Sequence, residues 1–273
     1  MALLPGHLQA IIGGGKRGWC RPSARQVEYA TSLFEWAMKL VRYAIVLVAA
    51  TVMSLPAFAA EQPVTQEEIA AKFDVAFGAT IATRYVSRGV AKSDKPAFQA
   101  YIIPSYDIFY AGLWVSTLTG SLGGVVPDDE MEFDLSVGIA PKFGDLALDF
   151  GYTRFLYNKS GDCCGEFHVT GSYTFTERFS AGGGLYYTPD SDKAYGAVNA
   201  SFALPRNFTV SGAVGSYLNQ HPNEVDWNAG LSYGFADIFI LDGRYHDSNA
   251  AGNHGRFVVS LSVHSSWSAL RRQ

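Results

Sequence analysis

Charge is scarce in this chain. Only 17% of its 273 residues are Asp, Glu, Lys or Arg, against about 25% in an ordinary soluble domain. Beside 48% hydrophobic residues, that scarcity excludes a disordered polypeptide, which combines high charge with low hydrophobicity. A basic excess is also missing. The formal net charge is −4, which argues against a nucleic-acid-binding protein, whose footprint is a cluster of Lys and Arg. Runs of about 20 apolar residues are absent too, and a mean hydropathy of +0.05 is too polar for a bundle of membrane helices. What is plentiful is 28 Gly, 18 Phe and 15 Tyr. Glycine and aromatics together suit many short strands joined by tight turns. The length allows one or two domains.

The most apolar stretch has the layout of a secretory signal. Lys39 and Arg42 form a basic start, Ala44 to Leu55 an apolar core, and Ala57-Phe58-Ala59 a small-x-small cleavage box. An apolar core of about 12 residues is too short to span a membrane comfortably. The expected cut falls before Ala60. Met38 directly precedes Lys39, so residues 1–37 read as an upstream extension ahead of the true initiator, with an unusually long basic start as the alternative, and 38–59 as the signal peptide. Residues 60–72 read as a polar periplasmic leader. Removing residues 1–59 takes away six basic and two acidic residues and leaves a formal charge of −8. It also removes Cys20, leaving Cys163 and Cys164.

From Phe73 onward the apolar period is two. Phe73, Val75, Phe77, Ala79 and Ile81 alternate with small or polar residues. The same holds for Met131 to Ile139, Phe167 to Phe175, Val225 to Tyr233 and Phe257 to Val263. A strand places each such set on one face, whereas a helix would scatter it. About twelve runs follow: near 73–85, 97–105, 109–118, 130–140, 145–157, 165–175, 178–188, 194–204, 208–218, 225–233, 236–246 and 256–264. Their lengths match the roughly 9–11 residues of a tilted membrane strand better than the roughly 5–6 of a globular strand. Connections alternate between short (such as Thr176-Glu177 and Gly234-Phe235) and long (such as Val86 to Pro96, Asn158 to Cys164, Pro189 to Lys193 and Asp247 to Gly255).

Aromatics crowd the run ends. Tyr106, Phe109, Tyr173, Phe175, Phe179, Phe202, Phe208, Tyr233 and Phe239 lie near short turns, and Tyr157, Tyr187 and Tyr217 near long loops. Amphipathic rings favour the two membrane interfaces. The expected fold class is all-β: a transmembrane antiparallel up-and-down β-barrel of about 12 strands over residues 73–264. Short turns would be periplasmic and longer loops extracellular, and 265–273 would be a C-terminal tail.

At the start of the barrel the sequence resembles the TorF family of outer-membrane porins. The likeness rests on Thr83-Arg84-Tyr85-Val86-Ser87-Arg88-Gly89, then Pro96-Ala97-Phe98-Gln99-Ala100, Phe109-Tyr110-Ala111-Gly112-Leu113-Trp114, and the acidic-led strand Glu130 to Leu135. It implies an outer-membrane barrel with a pore, and it brings no substrate and no catalytic residues. One departure is the last strand. Barrels of this class end on an aromatic residue that assists assembly, and Ser265 stands in its place.

With Phe73 and its partners facing lipid, the alternate residues line a lumen. The pore-lining candidates are the acids Asp74, Glu132, Asp134, Asp149, Glu166, Asp226 and Asp242 and the bases Arg84 and Arg244. An acidic excess attracts cations. Arg88, Lys92 and Lys95 form a basic patch on the first outer loop. It reads as solvated charge, with contact to lipopolysaccharide phosphate or an inward constriction as alternatives. Asp128-Asp129-Glu130 reads as a solvated loop end, with a divalent cation as the alternative, though it lacks the regular spacing of a calcium loop. Cys163 and Cys164 are placed in an outer loop, where an oxidising compartment permits a strained disulfide between neighbours. With His168 they fall short of the four ligands of a closed metal site. The sequence therefore points to a passive porin in the bacterial outer membrane, with no cofactor, no metal and no catalytic residues. Its expected partners are lipid, lipopolysaccharide and the barrel-assembly machinery, and its oligomeric state is open. A plugged structural or adhesion barrel is the alternative. A lipid-modifying enzyme is a more distant one, resting on His246 beside Asp247 and Ser248 and on His168 between Glu166 and Ser172.

Overall fold

The computed structural model describes residues 72–119, 129–220, 223–250 and 253–271. The upstream extension, the signal peptide, the leader up to residue 71 and Asp128 lie outside the described residues. Twelve strands follow one another: β1 (Phe73–Ala82), β2 (Ala97–Tyr106), β3 (Phe109–Thr117), β4 (Met131–Ile139), β5 (Leu146–Tyr157), β6 (Gly161–Thr174), β7 (Phe179–Thr188), β8 (Lys193–Ala203), β9 (Phe208–Tyr217), β10 (Val225–Phe235), β11 (Phe239–Ser248) and β12 (Arg256–Ser266). Each pairs antiparallel with its sequence neighbours. β1 also pairs with β12, from Ala76 opposite Ser266 to Ala82 opposite Ser260. The sheet is thus a closed up-and-down barrel, an architecture that leaves no strand edge to satisfy.

The alternation sets the two faces. Ile81, Leu135, Leu185, Val198 and Phe257 are exposed on the outside, the last by 66%. Thr80, Gln99, Glu132, Asp134, Glu166 and Asp226 are buried on the inside. A continuous apolar exterior of this extent marks a surface meant to be covered. The aromatic belt at the short-turn end is present: Tyr106, Phe109, Tyr173, Phe175, Phe202 and Tyr233 are all exposed. There the rings pair, as in Tyr173 with Phe175 at 4.9 Å and Phe208 with Tyr233 at 4.9 Å. At the opposite end Tyr187 is exposed as expected, but Tyr217 is buried inside and Tyr157 reaches inward to Glu132. Those two do not belong to a belt.

Two expected long loops are tight turns. β5 and β6 are separated only by residues 158–160, and β7 and β8 by the short 3-10 turn Pro189–Ser191 and Asp192. Cys163 and Cys164 therefore lie in β6 and not in a loop, and both are free thiols. A bulge explains the misreading. Phe155 pairs with Cys164 and Leu156 with Asp162, so Cys163 is left over and the alternation slips by one. The first strand stops at Ala82, short of the expected residue 85. The last runs on to Ser266 and into a short helix, α1 (Trp267–Leu270). Asp74 accepts hydrogen bonds from the Ser268 backbone N–H (2.9 Å) and hydroxyl (2.7 Å), tying that tail to β1.

Candidate functional site

The lumen has two unlike halves, and the first connection makes the difference. Between β1 and β2, Val86–Ser87 pairs with Val90–Ala91 in a two-rung hairpin. Its central residues, Arg88 and Gly89, have φ of 45° and 71°, as two-residue hairpin turns require. The hairpin enters the barrel. A Cβ at Gly89 would meet the Cβ atoms of Ser248 and Asp226 at 2.5 and 2.8 Å, so only glycine fits against that wall. Its base is fastened locally: the Tyr85 N–H donates to Ser93 Oγ (2.8 Å), and the Lys92 N–H to the Tyr85 carbonyl (2.8 Å).

Arg88 was expected to be solvated. Instead its side chain is 4% exposed, and its Nη2 donates to both carboxylate oxygens of Glu166 at 2.8 and 3.0 Å. Glu166 also accepts from the Thr188 hydroxyl at 3.2 Å. Three tyrosines surround the guanidinium: its carbon lies 4.1, 5.1 and 5.9 Å from the ring centres of Tyr195, Tyr186 and Tyr217. Cation–π attraction of this kind strengthens when the pair is desolvated. The Tyr195 hydroxyl is itself oriented by Asp226 at 2.8 Å. Burial alone would weaken the hold of Arg88 on its proton; Glu166 and Tyr217 more than reverse that, so the group stays charged.

On the facing wall Tyr85, Ala97, Trp114 and Phe155 form an apolar cluster, with the Tyr85 and Trp114 rings 5.6 Å apart. Beneath it Glu132 accepts from the Tyr157 hydroxyl at 3.0 Å. Glu132 Oε2 and Asp134 Oδ1 are buried with no hydrogen-bond partner among the described residues. Burial, then the Glu132 carboxylate, pushes the Tyr85 phenol well above its ordinary range. The acidic run ahead of β4 differs from the expectation as well: Asp129 is 2% exposed. It accepts the backbone N–H groups of Lys159 (2.7 Å) and Ser160 (3.0 Å) and the Ser160 hydroxyl. Those bonds outweigh its burial and hold its carboxyl below the usual range.

The half toward the short turns is more open. Its inner residues, such as Ser136, Ser172, Ser180, Ser201 and Ser211, are only half-buried. Arg244 lies along its wall, donating to Asp242 on its own strand (3.1 Å), Asn228 on β10 (2.7 Å) and Ser211 on β9 (2.8 Å). Between the two halves Asp149 accepts the Tyr110 hydroxyl at 2.9 Å and lies 3.3 Å from His168 Nε2.

The pore-lining candidates on strands are thus on the inner wall, but most are engaged. Asp74 holds the C-terminal tail, Asp149 Tyr110, Glu166 Arg88, Asp226 Tyr195, and Asp242 Arg244. Arg84 sits past the end of β1, half-buried in the connection. Arg88 and its three tyrosines were missed as a site. The tyrosines do share the inward parity of their strands, which is the one signal that places them in the lumen.

The residues behind an enzymatic reading are not assembled. His246, Asp247 and Ser248 are consecutive on β11, so Asp247 faces away from the other two. Ser172 is four residues from His168 on β6, about 13 Å along a strand. Gly230-Leu231-Ser232-Tyr233-Gly234 spells a Gly-x-Ser-x-Gly string. Ser232 lies within β10, however, opposite Thr209 and Asp242, and not at the strand-to-helix turn of a nucleophile elbow.

The profile of a bacterial family of unknown function, Gcw_chp, matches residues 66–269. Among solved structures, the KdgM porin superposes with a TM-score of 0.51 and 10% identity, over 70% of this chain and 98% of its own. The NanC porin has a TM-score of 0.44 and 13% identity, over 70% of this chain and 98% of its own. At such identities the KdgM likeness speaks to the barrel fold alone. No curated protein sequence matches the chain.

Proposed function

The chain belongs to the Gcw_chp family of bacterial proteins of unknown function, and on that premise we propose that it is a porin-like channel of the bacterial outer membrane. It would pass small hydrophilic solutes passively. The observation that carries this is the pairing of a closed twelve-strand wall, apolar outside, with a polar, half-exposed inner wall toward the short turns. Water-soluble barrels have no use for the first, and a filled side-chain core has no use for the second. The TorF resemblance belongs to the same proposal, and its Tyr-Val-x-Arg-Gly piece is the hairpin that occupies the lumen. So do a signal peptide cut before Ala60, contact with lipopolysaccharide, and insertion by the barrel-assembly machinery. A cation preference would rest on Glu132 and Asp134, each of which keeps a carboxylate oxygen with no hydrogen-bond partner among the described residues.

The plugged-barrel reading draws on a specific observation, the seated hairpin. Single-channel recording of the protein purified from membranes, in a planar bilayer under a salt gradient, decides between them. Discrete steps with a cation-leaning reversal potential are expected, and Asp134→Asn should reduce the lean. A folded barrel without steps would leave the plugged barrel.

A further inference from the structure

We propose that Arg88 is a tethered occupant of a cation subsite in the lumen, and that the same seat binds the guanidinium or ammonium group of a diffusing solute when the hairpin withdraws. This rests on the channel reading and narrows its solute class to small organic cations.

The seat is built by the wall and not by its occupant. Glu166, Tyr186, Thr188, Tyr195, Tyr217 and Asp226 come from five successive strands, β6 to β10. They brace one another without Arg88. Thr188 donates to Glu166, Tyr195 to Asp226, and the Tyr195 and Tyr217 rings meet edge to face at 5.2 Å. With Arg88 removed, what is left is three aromatic faces and two carboxylates around one volume. Aromatic faces with carboxylates recognise guanidinium and ammonium groups. An ion pair meant only to fasten a loop has no need of three rings.

A second cation already leans on the same seat. The Lys193 ammonium lies 5.6 Å from the Tyr217 ring centre, at the rim where β8 begins. Meanwhile the occupant is delivered under backbone strain, since Arg88 holds a φ of 45°, a region that costs a non-glycine residue. The tether gives Arg88 an effective concentration on the order of mM. A free cation must exceed that to compete, and removing the tethered group removes the competitor.

The test is calorimetric titration of the full protein in detergent with methylguanidinium chloride, with urea as the neutral, near-isosteric control. Arg88→Ala should bind methylguanidinium at least ten times more tightly than wild type and should ignore urea. The double variant Arg88→Ala/Glu166→Gln should lose that binding. Gly89→Val keeps Arg88 but collides with the Cβ atoms of Ser248 and Asp226; it should push the hairpin off its seat and show a smaller gain in the same direction. Equal, weak binding by all four proteins would overturn the proposal and make Arg88 a loop fastener. Conductance of the same samples separates the two readings. Binding without channel steps keeps the subsite and removes the channel; steps without binding do the reverse.

Discussion

The two halves of the lumen are lined by the same twelve strands, yet only one is packed. Toward the long loops, tyrosines, Trp114, a buried ion pair and an inserted hairpin fill the space. Toward the short turns, serines and glycines line a half-exposed wall whose ionic pair, Arg244 with Asp242, is about one fifth exposed on each side. The difference between the halves is therefore made partly by the wall's own rings and partly by one connection, and the chemistry that holds that connection lies on strands far along the chain.

The sharpest way to break this comparison is to remove one acid from each half. Glu166→Ala takes from the buried Arg88 guanidinium the carboxylate to which it donates, which should cost about 3–5 kcal/mol. Asp242→Ala leaves Arg244 with Asn228 and Ser211 and with access to water, and should cost no more than about 1 kcal/mol. Reversible urea unfolding in lipid vesicles measures both; equal losses would abolish the distinction. A smaller effect tests whether the contrast belongs to the lumen alone. Val198→Arg, at the middle of β8 on the outer face, should cost about 2–4 kcal/mol in a bilayer. Asn199→Arg, one residue on and facing inward, should be close to neutral by the same assay. The smallest effect concerns the mouth of the packed half. The carboxyl of Asp129 titrates below its ordinary value, so the clasp on Lys159 and Ser160 contributes above the unfolded value of about 4 and is lost as pH falls through the lower folded one. Asp129→Asn should remove about 1 kcal/mol near neutral pH and flatten the acid limb of stability between pH 5 and 2.

Period-two alternation made the barrel legible, because each strand must present one apolar and one polar face. It located all twelve strands and put Glu132, Asp134, Glu166 and Asp226 inside. It failed where the period itself fails: the extra residue Cys163 shifts the parity of β6, and the start of that strand reads as loop. Arg88 failed for another reason. Val-Ser-Arg-Gly is locally a turn, and nothing within the segment announces an acceptor on the far wall. Tyr157 and Tyr217 look like interface aromatics by position, yet parity puts them inside, and parity was the better guide. Asp129 looked solvated because a run of acids usually is; its donors arrive from the turn after β5.

Arg88 and Glu166 are 78 residues apart in the chain. The hairpin is therefore made long before its seat exists. Glu166, Tyr186, Tyr195 and Tyr217 come together only once β6 to β9 have paired, and non-local contacts of that kind form late because their loop entropy is met first. A newly closed barrel thus passes through an interval in which the lumen is bounded by its wall alone. The length of that interval sets how long the long-loop half of each new barrel stays wider than in the finished molecule.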